Sequence, residues 1–146
     1  MSNESRPSET KPREKIALVT GANRGIGFET CKQLRDLGYT VLLAARDRSK
    51  AQQAVESLGH TSLHPLQLDV TNEQHRQAAA LHIERTFGKL DVLINNAGVM
   101  PKADTSADKV SLDILRETFE TNFFAVVALT EALLPLLRKS AAGRIV

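Results

Sequence analysis

The chain carries a single cysteine, Cys31, so no disulfide can form within it. Cys31 falls in an apolar helical pattern, where a free cysteine behaves as a small buried hydrophobe rather than a reactive thiol. The four histidines, His60, His64, His75 and His82, stand at no metal-ligand spacing with cysteine or carboxylates. His75 and His82 share an expected helix but are too far apart to grip one ion as an i, i+4 pair would. Charge of one sign is scarce too: 19 Lys and Arg against 17 Asp and Glu leave a net +2. Nothing in that balance calls for nucleic acid or an anionic membrane as partner. No run is expected to reach the roughly 20 apolar residues of a membrane span. Residues 1–14, with Pro7 and Pro12, lack the apolar centre of a secretory signal and are expected to form a disordered tail. One thiol and no export signal favour a reducing, cytoplasmic setting.

What remains is the composition of a soluble globular domain: 146 residues, 42% hydrophobic and 25% charged, enough to bury a core. After the tail, short apolar runs alternate with longer helical stretches. Ile16–Val19 and Thr40–Ala45 read as buried strands, Leu63–Leu68 as a weaker strand containing Pro65, and Asp91–Ile94 as a fourth. Between them, helices are expected over Gly25–Leu37, Asp47–Leu58 with Asp47 or Ser49 as N-cap, and Thr71–Phe87. Thr71 and Gln74 have the spacing of a capping box. Gly38, Gly59 and Gly88 close the three helices. A loop over Asn95–Val110 leads to a long helix, Leu112–Leu137, with Pro135 expected to kink its last turn. Gly143–Val146 begins a fifth strand. Such alternation predicts a parallel sheet with helices on both faces, over residues 15–146 as one domain.

The turn after the first strand reads Thr20-Gly21-Ala22-Asn23-Arg24-Gly25-Ile26-Gly27. A doubly wound fold binds phosphates at this place, where backbone N–H groups and the dipole of a helix N-terminus meet the anion. Gly21 allows the sharp exit from the strand, Gly25 leaves room for a diphosphate, and Gly27 permits close helix–sheet packing. The spacing, T-G-x-x-x-G-x-G, differs from G-x-G-x-x-G, and a glycine-rich turn alone is weak evidence. Further polar pieces follow the later strands: Arg46 after the second, Asp69-Val70 after the third, and Asn95-Asn96-Ala97-Gly98 after the fourth. In an open parallel sheet these share the ligand edge with the glycine turn. Asn122 lies within the long helix.

In this order the motifs resemble the short-chain dehydrogenase/reductase family, over roughly Lys15 to Val146. The glycine turn, Leu43-Ala44-Ala45-Arg46-Asp47, Gln67-Leu68-Asp69, Asn95–Gly98 and Thr121-Asn122-Phe123-Phe124 look especially like carbonyl reductases. The resemblance implies a Rossmann-type doubly wound parallel sheet, here reaching only the start of the fifth strand. It also implies roles. Gly21, Gly25, Gly27 and the backbone around Asn23 and Ile26 would hold a diphosphate. Asp69 would accept from an adenine amino group, with the Val70 backbone beside it. Asn96, Ala97 and Gly98 would pass under the riboses, and Asn122 would help position a catalytic lysine through water. Each has a structural alternative: Asp69 as a helix cap, Asn95 as a turn residue, Asn122 as a solvated helix residue.

The cofactor implied is NADP(H). An NAD enzyme carries an acid at the end of the second strand, where this chain has Ala45 followed by Arg46. Arg24 and Arg46 could converge on a 2′-phosphate, which suits the planar guanidinium fork. The alternative leaves both as solvated charges, and Asp47 is an acid nearby. The family's catalytic Ser, Tyr and Lys lie beyond the start of the fifth strand. The only tyrosine here, Tyr39, has no lysine four residues on and is expected to be structural. Two functions follow: an NADPH-dependent reductase of a small-molecule carbonyl, or an NADP(H)-binding module or regulator without turnover. Leu115, Phe119, Phe123, Val126 and Val127 make the long helix apolar on more than one face. Self-association through residues 112–137 is therefore expected.

Overall fold

The computed structural model describes residues 14–59, 61–100 and 109–146. The expected tail, apart from Glu14, lies outside the described residues, as do His60 and residues 101–108 of the loop after the fourth strand. The described elements run β1 (Ile16–Val19), α1 (Gly25–Asp36), β2 (Thr40–Ala45), α2 (Arg48–Leu58), β3 (Leu63–Gln67), α3 (Glu73–Phe87), β4 (Val92–Ile94), α4 (Leu112–Phe119), a π turn (Glu120–Phe124), α5 (Ala125–Arg138) and β5 (Arg144–Ile145). The strands form one parallel sheet in the order β3-β2-β1-β4-β5. The chain reverses direction of winding between β1 and β4, which opens a crevice at their carboxyl ends.

Every residue of β1 and β2 is buried, as expected for central parallel strands covered on both faces. Side-chain alternation then divides the core. Ile16, Leu18, Leu42, Ala44 and Leu93 pack against Ala79 and Ile83 of α3 and Ala125, Leu129 and Leu133 of α5. Val19, Val41, Leu43 and Ala45 pack against Cys31 of α1 and Ala51 and Ala54 of α2. Cys31 has no exposed surface, and burial pushes its thiol pKa up to about 12. β3 pairs with β2 alone, and this edge position accommodates Pro65.

Three local expectations change. The capping box at Thr71 does not form: Asn72 caps α3, its Oδ1 accepting from His75 N–H at 3.0 Å. Thr71 instead donates to Asp69. The long helix is not uninterrupted, because the five residues of the π turn separate α4 from α5, while Pro135 sits inside α5, which continues to Arg138. Finally, Leu112–Arg138 is long and apolar enough to cross a membrane, contrary to the expectation that no stretch is. Its α5 half spends that apolar surface on the sheet, where Ala125, Leu129, Leu133, Leu136 and Leu137 are buried.

Candidate functional site

The glycine turn is pinned to the loop after β4. Gly21 has φ +59°, and a Cβ there would lie 2.8 Å from the Ala97 Cα. Only glycine meets both demands. The Thr20 hydroxyl donates to the Ile94 carbonyl at 3.3 Å and accepts from the N–H groups of Asn96 and Ala97 at 3.1 and 3.0 Å. The Asn96 side chain returns the contact, donating to the carbonyls of Thr20 and Gly21 at 2.9 and 3.1 Å. Asn96 therefore works inside the turn, holding its shape. Asn95 takes part through its backbone, donating to the Val146 carbonyl at 2.8 Å.

Beyond this knot, α1 begins with no side-chain cap on Arg24 and no acid in its first turn. The first N–H groups of such a helix offer an anion site. Gly25 has φ +61°, and a Cβ there would meet nothing within 4 Å; the space in front of it is open. Gly27 is the opposite case, since a Cβ would run into Asn96 Nδ2 and lie 2.9 Å from the Ala22 Cα. Ile26 is 81% exposed.

A cleft of about 560 Å³ runs along this edge of the sheet. Its walls include Gly21, Asn23, Arg24, Gly25, Arg46, Asp69, Val70, Asn96, Ala97 and Gly98, ten of the sequence-derived candidates. Gly27 is packed beneath the turn, and Ile26 and Asn122 are not part of the lining. Asn122 acts one layer back: it grips Val99, which does line the cleft, by both backbone groups at 2.8 Å. Glu117, Glu120 and Thr121 also face the cleft, brought there by a loop-to-helix contact that sequence spacing does not reveal.

Asp69 Oδ1 accepts from the Thr71 hydroxyl and N–H at 2.7 and 3.0 Å. Asp69 Oδ2 has no partner among the described residues. Partial burial pushes the Asp69 carboxyl up, but the two Thr71 bonds and the positive field of Arg46 outweigh it and hold the group below its ordinary range. Asp69 is thus an ionised acceptor at neutral pH.

A second hollow of about 920 Å³ adjoins the first past the end of β2, with Arg24, Arg46, Arg48 and Lys50 around it. Arg48 and Lys50 were missed from sequence, although a basic pair directly behind Arg46 on the first turn of α2 was a usable signal. Asp47 is accounted for as the α2 cap, its Oδ1 accepting from the N–H groups of Ser49 and Lys50 at 2.8 and 3.2 Å. The donor set fits a dinucleotide with an extra phosphate: open helix N–H groups, a glycine with free space before it, an ionised acceptor at one end and four cations beside it. No cluster of three or more His, Cys, Asp or Glu that could hold a metal occurs among the described residues.

An open parallel sheet with this strand order and a glycine-lined crevice at its switch point defines a nucleotide-binding α/β protein. The chain belongs to the short-chain dehydrogenase family, whose sequence model matches residues 15–146. It is 44% identical over 135 residues to a short-chain dehydrogenase of Penicillium roqueforti, covering 90% of this chain and 52% of the relative. It is 40% identical to carbonyl reductase [NADPH] 1 of Bos taurus, covering 90% of this chain and 47% of the relative. Its fold matches the structure of salutaridine reductase from Papaver somniferum with a TM-score of 0.81 at 34% identity, over 90% of this chain and 56% of that one. The chain spans about half the length of the curated relatives it matches.

Proposed function

We propose that the protein binds NADP(H) in this cleft and that, together with the family's Ser, Tyr and Lys, it serves reduction of a small-molecule carbonyl to an alcohol. The observation that carries the cofactor choice is the cation cluster past β2. Arg24, Arg46, Arg48 and Lys50 surround one hollow, at a strand end where Ala45 stands in place of an acid. A 2′-phosphate there gains charge-assisted hydrogen bonds; Asp47 also lines the hollow, but its Oδ1 is held by the Ser49 and Lys50 N–H groups and four cations outnumber its one charge. The α1 N-terminus with Gly25 would hold the diphosphate, and Asp69 Oδ2 would accept from the adenine amino group. The bound nicotinamide would supply the hydride. The likeness to carbonyl reductase supports the carbonyl as substrate class.

Arg46→Asp tests the reading. It should weaken NADPH binding on the order of a hundredfold while leaving NADH binding within a few-fold, as loss of a charge-assisted contact and added repulsion require. Equal losses for both cofactors in titration calorimetry would refute the 2′-phosphate assignment.

A further inference from the structure

The Asp69-Val70 wall of the cleft is fixed by two consecutive side chains of α3. The Asp69 N–H donates to His75 Nδ1 at 3.1 Å. The Arg76 guanidinium donates to the Val70 carbonyl at 2.8 Å. Thr71 holds Asp69 Oδ1. The N–H of one residue, the carbonyl of the next and one carboxylate oxygen are therefore all engaged, and the wall is set so that Oδ2 is left for a ligand. Neither α3 side chain lines the cleft itself.

We propose that His75 and Arg76 are positioning residues for the adenine end of the cofactor. This rests on the reading of the cleft as an NADP(H) site. His75 presents an unprotonated ring nitrogen to the Asp69 N–H, and Arg76 presents a charged donor to the Val70 carbonyl. Losing either bond frees a backbone group of the wall, and with it the direction of Asp69 Oδ2.

The test is binding of 2′,5′-ADP, which has the adenine end without the nicotinamide, and of NADP⁺, measured by calorimetry. His75→Ala and Arg76→Ala should each weaken 2′,5′-ADP about fivefold, the worth of one hydrogen bond. His75→Asn puts an amide oxygen near the place of Nδ1 and should restore binding. Melting curves identify any alanine variant that fails to fold; His75→Leu and Arg76→Met, which keep bulk and lose the hydrogen bonds, then take its place. Unchanged binding in folded variants that lack the hydrogen bond, or no recovery in His75→Asn, overturns the proposal. An unmodified protein that binds neither ligand would instead overturn the cofactor reading beneath it.

Discussion

Asn122 holds Val99 by both of its backbone groups, Oδ1 accepting from the Val99 N–H and Nδ2 donating to the Val99 carbonyl, each at 2.8 Å. The pair ties the π turn to the loop after β4. A π turn is a strained departure from regular helix that tends to occur at functional sites, and here its central residue fixes a wall of the cleft. Asn122→Ala removes both bonds and should cost about 1–2 kcal/mol. It should also speed hydrogen exchange at the Val99 amide. Unaltered protection of that amide would show that Asn122 does not hold the loop.

The glycines of the first turn should separate folding from binding. At Gly27 a Cβ would press on Asn96 and Ala22, so Gly27→Ala should destabilise the fold by about 1–3 kcal/mol in urea. At Gly25 there is space but φ is positive. Gly25→Ala should cost only about 1 kcal/mol while strongly weakening NADP⁺ binding, because the methyl group enters the space proposed for the diphosphate. A Gly25→Ala protein with full affinity would move the diphosphate elsewhere.

Asp91 predicts the acid response. Its Oδ2 accepts from the Ile16 N–H at 2.7 Å and from Lys89 Nζ at 2.8 Å, and its Oδ1 from the Ser140 hydroxyl at 2.5 Å. Burial raises the carboxyl pKa, but the bonds from Lys89, Ser140 and Ile16 and the Lys89 charge lower it further than burial lifts it. A folded pKa below the unfolded one gives stability that is complete above the unfolded value, near pH 4. That stability is lost as the pH falls through the folded value. Asp91→Asn should therefore lower Tm at neutral pH and flatten its dependence on pH below about 4. Parallel Tm curves for the two proteins in acid would contradict this role.

Self-association through the long helix is the proposal for its uncovered face. Leu112 is 66% exposed and Phe119, Phe123 and Phe124 between 55% and 57%, and the Phe123 ring meets those of Phe119 and Phe124 edge to face. Sedimentation velocity should show concentration-dependent association, reduced in Phe119→Ser with Phe123→Ser. A monomer at all concentrations would dismiss it.

Sequence spacing located the central elements well because their determinants are local. β2 ends where Ala45 gives way to Arg46, and Gly59 and Gly88 adopt positive φ at the two helix ends. The N-cap of α3 was misplaced by one residue because Thr71 and Asn72 can both cap, and Asp69 took Thr71 for itself. The π turn left no trace in the apolar periodicity, and the contact its Asn122 makes with Val99 spans 23 residues. His75 and Arg76 were equally hidden: they act on backbone groups, which have no sequence signature. Arg48 and Lys50 differ, for they sat beside a residue already chosen and were overlooked.

The Thr20 hydroxyl bridges to the N–H of Ala97 across 77 residues of chain, and Gly21 is shaped to receive the same residue. The turn that faces the phosphates is therefore not a local β–α connection that can mature by itself. It closes only after β4 has found β1, a long-range event whose loop-closure entropy must be met first. Affinity for nucleotide should thus arise late in refolding, after helix content, and binding before synthesis reaches residue 98 would be disfavoured.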